Sequence, residues 1–207
     1  MFFVDHGFFR YFYLNRHRVG EQAWRSAQPA PHHIRQMARE GVRTVVNLRG
    51  GREFGSYPLE REACEAAGLE FEEVVLRSRE PPTVETLEEV AALFDRIAYP
   101  ALFHCKSGAD RAGLMSALYL LLKEGRPVEE ALGQLALRYG HIRQGKTGVL
   151  DHFIERFAEA QAAARAEGRD LKLLEWARED YDPVALRQEF RENGWASFLV
   201  DKVLRRE

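Results

Sequence analysis

A cysteine, an aspartate and an arginine share one short stretch, His104-Cys105-Lys106-Ser107-Gly108-Ala109-Asp110-Arg111. An apolar run, Ala101-Leu102-Phe103, precedes it and a strongly apolar helical pattern from Leu114 to Leu122 follows, so it reads as strand end, tight loop and helix start. A thiol at such a junction meets unsatisfied backbone NH groups and the positive end of a helix dipole, which favour an anion and thiolate formation. Cys105 is the expected nucleophile. Gly108 lets the backbone turn so that successive NH groups converge, and Arg111 offers a planar fork that matches two phosphate oxygens. Lys106, Ser107, Gly108 and Ala109 are the expected phosphate cradle, with Lys106 at its rim. A carboxylate beside a phosphate site is repelled unless it carries a proton, which makes Asp110 a candidate general acid.

The His104-Cys105 pair with Gly108 and Arg111 resembles the HCxxGxxR signature of the cysteine-dependent protein tyrosine and dual-specificity phosphatases. Trp24-Arg25-Ser26-Ala27-Gln28-Pro29 and Gly41 to Arg49 are similar to earlier landmarks of the small bacterial and fungal dual-specificity-like branch, so the resemblance runs from about Ala23 to Phe157. It implies the phosphatase fold and phosphate-monoester hydrolysis through a cysteinyl phosphate, with no metal and no cofactor. Many relatives carry a mobile aspartate, the general acid, in the loop that here reads Arg77-Ser78-Arg79-Glu80-Pro81-Pro82. No aspartate occurs between Asp5 and Asp95. Either Glu80 replaces it, or Asp110 donates the proton, an arrangement that resembles myotubularin-type lipid phosphatases. Ala112 stands where many relatives have a serine or threonine that eases departure of the sulfur; Ser107 is a candidate substitute. His104 reads as a brace for the loop that tunes Cys105 indirectly.

The elements that must position these groups follow from the periodicities. Thr44-Val45-Val46-Asn47-Leu48 is β-branched and continuously apolar, as for a central strand, and leaves Arg49 and Arg52 at the sheet edge where ligands collect. A helix over His32–Arg39 would bury Ile34, Met37 and Ala38, and another spans Pro58–Ala67 with Cys64 as a buried small residue. A strand over Leu69–Leu76 would turn Phe71 and Val75 inward. Further helices are expected over Thr83–Tyr99 with Thr83 as cap, Ala112–Lys123, Val128–Tyr139 and Val149–Ala166. His141, Gln144 and Lys146, between glycines, are candidates for positioning substrate or water. The expected fold class is α/β, a largely parallel central sheet flanked by helices, with extra C-terminal helices.

The chain has 207 residues and a formal net charge of -2, which gives no reason to expect nucleic acid as a partner. The domain reading is an N-terminal arm over 1–22, a phosphatase-like catalytic domain over 23–166, and a helical extension over 167–207 docked through Leu174, Trp176, Phe190, Trp195, Phe198 and Leu199. Two cysteines are too few for a secreted disulfide framework, and the aromatic opening is interrupted by Asp5, His6 and Arg10. A cytoplasmic protein with no membrane span, monomeric or dimeric, is expected. Arginine and alanine outnumber a handful of lysines, as suits a GC-rich bacterial genome or a thermophile. The expected substrate is a phosphorylated protein, with an inositol phosphate or phosphoinositide as the alternative, for which Lys106, Arg49, Arg52, Arg77 and Arg79 would supply charge. A phosphate-binding module without turnover and a sulfurtransferase are the rival readings.

Overall fold

The structure is a computed structural model and describes residues 14–50 and 56–191. The expectations for the aromatic arm up to Tyr13, for Arg52 and for Trp195, Phe198 and Leu199 lie outside the described residues. Five strands, β1 (His17–Val19), β2 (Ala23–Ser26), β3 (Thr44–Asn47), β4 (Glu70–Glu73) and β5 (Ala101–His104), form one sheet in the order β1-β2-β5-β3-β4. Only β1 runs antiparallel to its neighbour. The register sets Ser26 beside His104, His104 beside Asn47 and Asn47 beside Glu73, so four parallel strands end level and Cys105 leaves from between β2 and β3. Carboxyl ends of parallel strands are where such sheets collect ligands.

Side-chain alternation sorts the sheet's residues between two helical layers. Val45 and Leu102 face α1 (Pro31–Arg39) and α2 (Ser56–Ala66), in a cluster with Ile34, Met37, Ala63 and Cys64. Val46, Leu48, Ala101, Phe103 and Cys105 face the larger layer. That layer contains α3 (Val84–Arg96), α4 (Asp110–Leu122), α5 (Val128–Leu132), α6 (Val149–Ala166) and α7 (Leu173–Glu179). Every residue from Ala112 to Leu120 is buried, because α4 lies between the sheet and the outer helices. That is why its sequence is apolar all round rather than striped. Each fully buried Leu or Phe there contributes about 1.5–3 kcal/mol.

Two expectations are corrected. Val75 is 55 % exposed, and Val74 and Leu76 are the buried pair. Alternation does put Val75 on the face of Phe71, but there it lies against Gly50 instead of under a helix. The helix expected over Val128–Tyr139 stops at Leu132. The next amides bond three residues back, Gln134 to Ala131 and Leu135 to Leu132, and the Gln134 carbonyl goes to the Arg25 side chain at 2.6 Å. A short 3-10 turn, Leu137–Tyr139, follows.

Beyond α6 the chain packs back on the same core. Leu171, Leu173, Trp176, Ala177 and Leu186 belong to the larger cluster, and the Tyr181 hydroxyl donates to the Pro82 carbonyl at 2.8 Å. Asp182 caps a helical segment over 183–191 by accepting from the Val184 and Ala185 amides. Among the described residues no helix is long and apolar enough to cross a membrane.

Candidate active site

Cys105, 2 % exposed, is the first residue after β5, and α4 starts at Asp110. Between them, every carbonyl from Lys106 to Ala109 is held from behind by a donor from the segment 15–28. The Gln28 amide reaches the Lys106 carbonyl at 3.5 Å, and the Asn15 side-chain amide donates to the Ser107 carbonyl at 3.0 Å. One Arg25 nitrogen donates to the carbonyls of Gly108 and Ala109 at 2.9 and 2.8 Å. In a trans peptide the NH of the next residue points opposite to the carbonyl. Tying the carbonyls behind the loop therefore turns the following NH groups to the other side. The NH groups of Ser107, Gly108 and Ala109 meet no acceptor among the described residues, which leaves a concave set of donors of the kind that binds an oxyanion.

Gly108 is required by two constraints. Its φ is +75°, and a Cβ there would stand 2.6 Å from backbone atoms of Ser26 and Ala27. Arg25 itself is fully buried, has no carboxylate partner among the described residues, and lies 4.1 Å over the Tyr139 ring. Its other nitrogen donates to the Gln134 carbonyl and side chain. Burial pulls its pKa down to about 10, against the opposing pull of Tyr139, Cys105 and Asp110, so it stays a cation at neutral pH behind the loop. Arg111 is half-buried, and its guanidinium has no hydrogen bond or ion pair among the described residues, so its fork is available to a ligand.

His104 points to the opposite face of the sheet, where alternation places it beside α2. Its Nε2 stands 2.5 Å from Oε1 of Glu60, and both side chains are at most 1 % exposed. The two atoms are close but off the axis of a good hydrogen bond, since neither has an aligned partner. The other Glu60 oxygen accepts from Asn47 at 3.0 Å and Gln28 at 3.1 Å. Gln28 in turn accepts from the Arg49 guanidinium, and Asn47 accepts from the Arg49 amide at 2.8 Å. A brace for the loop was the expected role of His104; the buried carboxylate under it carries no signal in the sequence.

Asp110 is held as well. Its Oδ1 lies 2.8 Å from Nδ1 of His141, whose Nε2 lies 2.6 Å from Oδ2 of Asp151 near the start of α6. The imidazole is fully buried, while the Asp110 side chain is 26 % exposed. Burial alone lowers the pKa of His141, and the hydrogen bonds and charges of the two carboxylates outweigh it and push it up to about 9. Gly140 brings this segment against the loop, since a Cβ there would lie 3.7 Å from that of Ala109. Glu80 is engaged elsewhere, in ion pairs with Arg77 at 3.4 Å and Arg187 at 3.5 Å. Arg79 and Ser107 are exposed, Lys106 is half-buried, and Ala112 is fully buried. Cys64 is buried on the other face of the sheet, and burial pushes its thiol up to about 12.

The structure thus brings Cys105, the loop, Asp110 and Arg111 together, and does not place Glu80 with them by any contact. Arg25, Asn15, Glu60 and Asp151 were not found by sequence reasoning. Arg25 lies in the stretch Trp24 to Pro29 that resembles the family, which is its one signal in the sequence. Gln144 and Lys146 take no part in the contacts of the loop.

Residues 15–149 match the family described as a DSP-PTPase phosphatase fused to NAD+ kinase. No curated protein sequence matches the chain. Among solved structures, TpbA of P. aeruginosa is 21% identical with a TM-score of 0.55, over 72% of this chain and 91% of that one. A DUF442 protein of Shewanella putrefaciens CN-32 is 20% identical with a TM-score of 0.56, over 72% of this chain and 95% of that one. Tk-PTP in its active form is 22% identical with a TM-score of 0.54, over 69% of this chain and 97% of that one. At these identities the likeness shows the fold. One structure of TpbA holds phosphotyrosine.

Proposed function

We propose, on the premise that the chain belongs to this family of dual-specificity-type phosphatases, that it hydrolyses phosphate monoesters through a cysteinyl phosphate on Cys105. The observation that carries the reading is the loop with its carbonyls tied back and the NH groups of Ser107, Gly108 and Ala109 without an acceptor among the described residues. Such a cradle stabilises the equatorial oxygens of a phosphoryl group in flight, and Arg111 adds a bidentate cation. Sγ of Cys105 attacks phosphorus, the P–O bond breaks with its electron pair going to oxygen, and a carboxyl protonates the leaving alcohol. Water then attacks the phosphoenzyme, giving a proton back to the same carboxylate and returning the electron pair to sulfur. Asp110, at the first residue of the helix that follows the loop, is the better-placed donor; Glu80 is occupied by Arg77 and Arg187.

For the substrate, aryl phosphates and phosphotyrosine in protein are the favoured class. The phosphotyrosine held by TpbA supports it. On the rim, Arg77 faces Glu80 at 3.4 Å, which weighs against a polyphosphorylated inositol. The protein is read as a cytoplasmic one, with residues 167–207 as an extension of the catalytic domain.

Replacing Cys105 by serine tests the nucleophile. Turnover of 4-nitrophenyl phosphate should fall at least about 1,000-fold while vanadate binding persists. Undiminished turnover would falsify the reading. In the parent protein, rapid quenching should show a phosphoenzyme that decays at a rate compatible with steady-state turnover; one that accumulates and never hydrolyses would make this a phosphate-binding module.

A further inference from the structure

We propose that His141, clamped by Asp151, is a positioning residue that ties Oδ1 of Asp110 and so confines the transferable proton of Asp110 to Oδ2. The inference rests on the reading of Asp110 as proton donor, and concerns what makes it one. It begins from the contacts of a fully buried ring: one nitrogen 2.8 Å from Asp110 and the other 2.6 Å from Asp151. Two ring nitrogens that each face a carboxylate oxygen are both satisfied as donors when the ring carries both protons. The strongly raised pKa of the ring agrees with that state.

An imidazolium fixed in this way has a definite consequence for Asp110. Oδ1 accepts from Nδ1–H in either protonation state of the carboxyl, so an added proton can reside only on Oδ2. During phosphoryl transfer the Oδ2–H bond breaks, the proton goes to the leaving oxygen, and the carboxylate left behind is stabilised by a cation already in contact. When water attacks the phosphoenzyme its proton returns to Oδ2. His141 keeps both its protons throughout. Asp151, 2 % exposed, holds the ring in place and balances its charge. The other titratable groups around this chain are Arg25 from β2, Tyr139 over Arg25, Arg138 beside Tyr139, Cys105 in the loop and Arg111 next to Asp110 on α4. None of them occupies a ring nitrogen.

The test compares phenyl phosphate, a poor leaving group that needs the proton, with 4-nitrophenyl phosphate, a good one that needs it less. In His141→Gln, phenyl phosphate should slow at least about 10-fold more than 4-nitrophenyl phosphate, because general acid catalysis is worth about 10²–10⁴ where it is needed. Loss of the adjacent cation makes Asp110 hold its proton longer, so the alkaline limb of kcat/KM should move to higher pH by about one unit. Asp151→Asn, which keeps the shape of the side chain, should move both readouts the same way by less. It decides the matter should His141→Gln fail to fold. Equal loss on both substrates with an unmoved limb in these variants marks a merely structural ring and overturns the inference. Asp110→Asn separates the premise: if it abolishes the alkaline limb while the His141 and Asp151 variants leave it alone, Asp110 is the donor and the clamp is idle. If Asp110→Asn itself leaves the limb in place, the donor reading fails and takes the clamp with it.

Discussion

A single buried guanidinium does more to shape the candidate site than any residue that faces its substrate. Among the described residues Arg25 meets no carboxylate, and its donors go to Gly108, Ala109 and Gln134 instead. It thereby fixes two peptide planes of the loop and the end of α5 with one planar group. Lysine keeps the charge but lacks the fork. Arg25→Lys should therefore leave the fold largely intact, lose about 2–4 kcal/mol of stability, and weaken vanadate inhibition about 10-fold or more. Denaturant melts and inhibition curves check both, and vanadate inhibition equal to that of the parent would remove Arg25 from the loop's support. None of this is legible in the sequence. Arg25 and Gly108 are 83 residues apart, and an arginine within an apolar strand looks the same whether its fork meets backbone carbonyls or solvent. His141 was legible only as a polar residue between glycines, because the two carboxylates that give it meaning lie on different helices.

At the level of elements, the strand–loop–helix unit was readable because each part carries its own local signal. Apolar Ala101-Leu102-Phe103, the glycine turn and the apolar run of α4 leave little alternative, and the edges of α6 were found as well, Gly168 with its φ of +79° following its end. The error over Val128–Tyr139 has a physical reason. Ala131, Leu132 and Leu135 keep helical spacing, but past Leu132 the amides bond three residues back and the Gln134 carbonyl goes to Arg25, a tertiary contact invisible to periodicity. Gly108 gives the sharpest prediction at this scale. Gly108→Ala demands a left-handed φ from an L residue and drives a methyl into the backbone at Ser26, the end of β2, and Ala27. Stability should fall by about 2–4 kcal/mol and turnover of 4-nitrophenyl phosphate by at least about 100-fold. A variant with parental kinetics would show that the loop does not need its present close approach to β2.

For the whole molecule, the C-terminal helices share the core of the sheet. Trp176 lies 5.6 Å from Phe157, 5.8 Å from Phe153 and 4.9 Å from Tyr181 between ring centres, and is 6 % exposed. Trp176→Ala should cost about 3–5 kcal/mol and lower the melting temperature by about 6–20 °C in one transition. Activity in the cold should hardly change, because Trp176 touches no part of the loop. Two separate melting steps would mean that the extension is a unit of its own. The clamp on Asp110 has a consequence for the chain as it is made. A growing polypeptide has released all five strands once it passes His104, and nucleophile and arginine soon after. The imidazole comes 31 residues beyond Asp110 and its second carboxylate 10 further still. Synthesis thus delivers the residues of the cradle before the buttress of the proton donor, and the helices that bury α4 come later still, so the cradle gains its support only when the rest of the chain is free to pack.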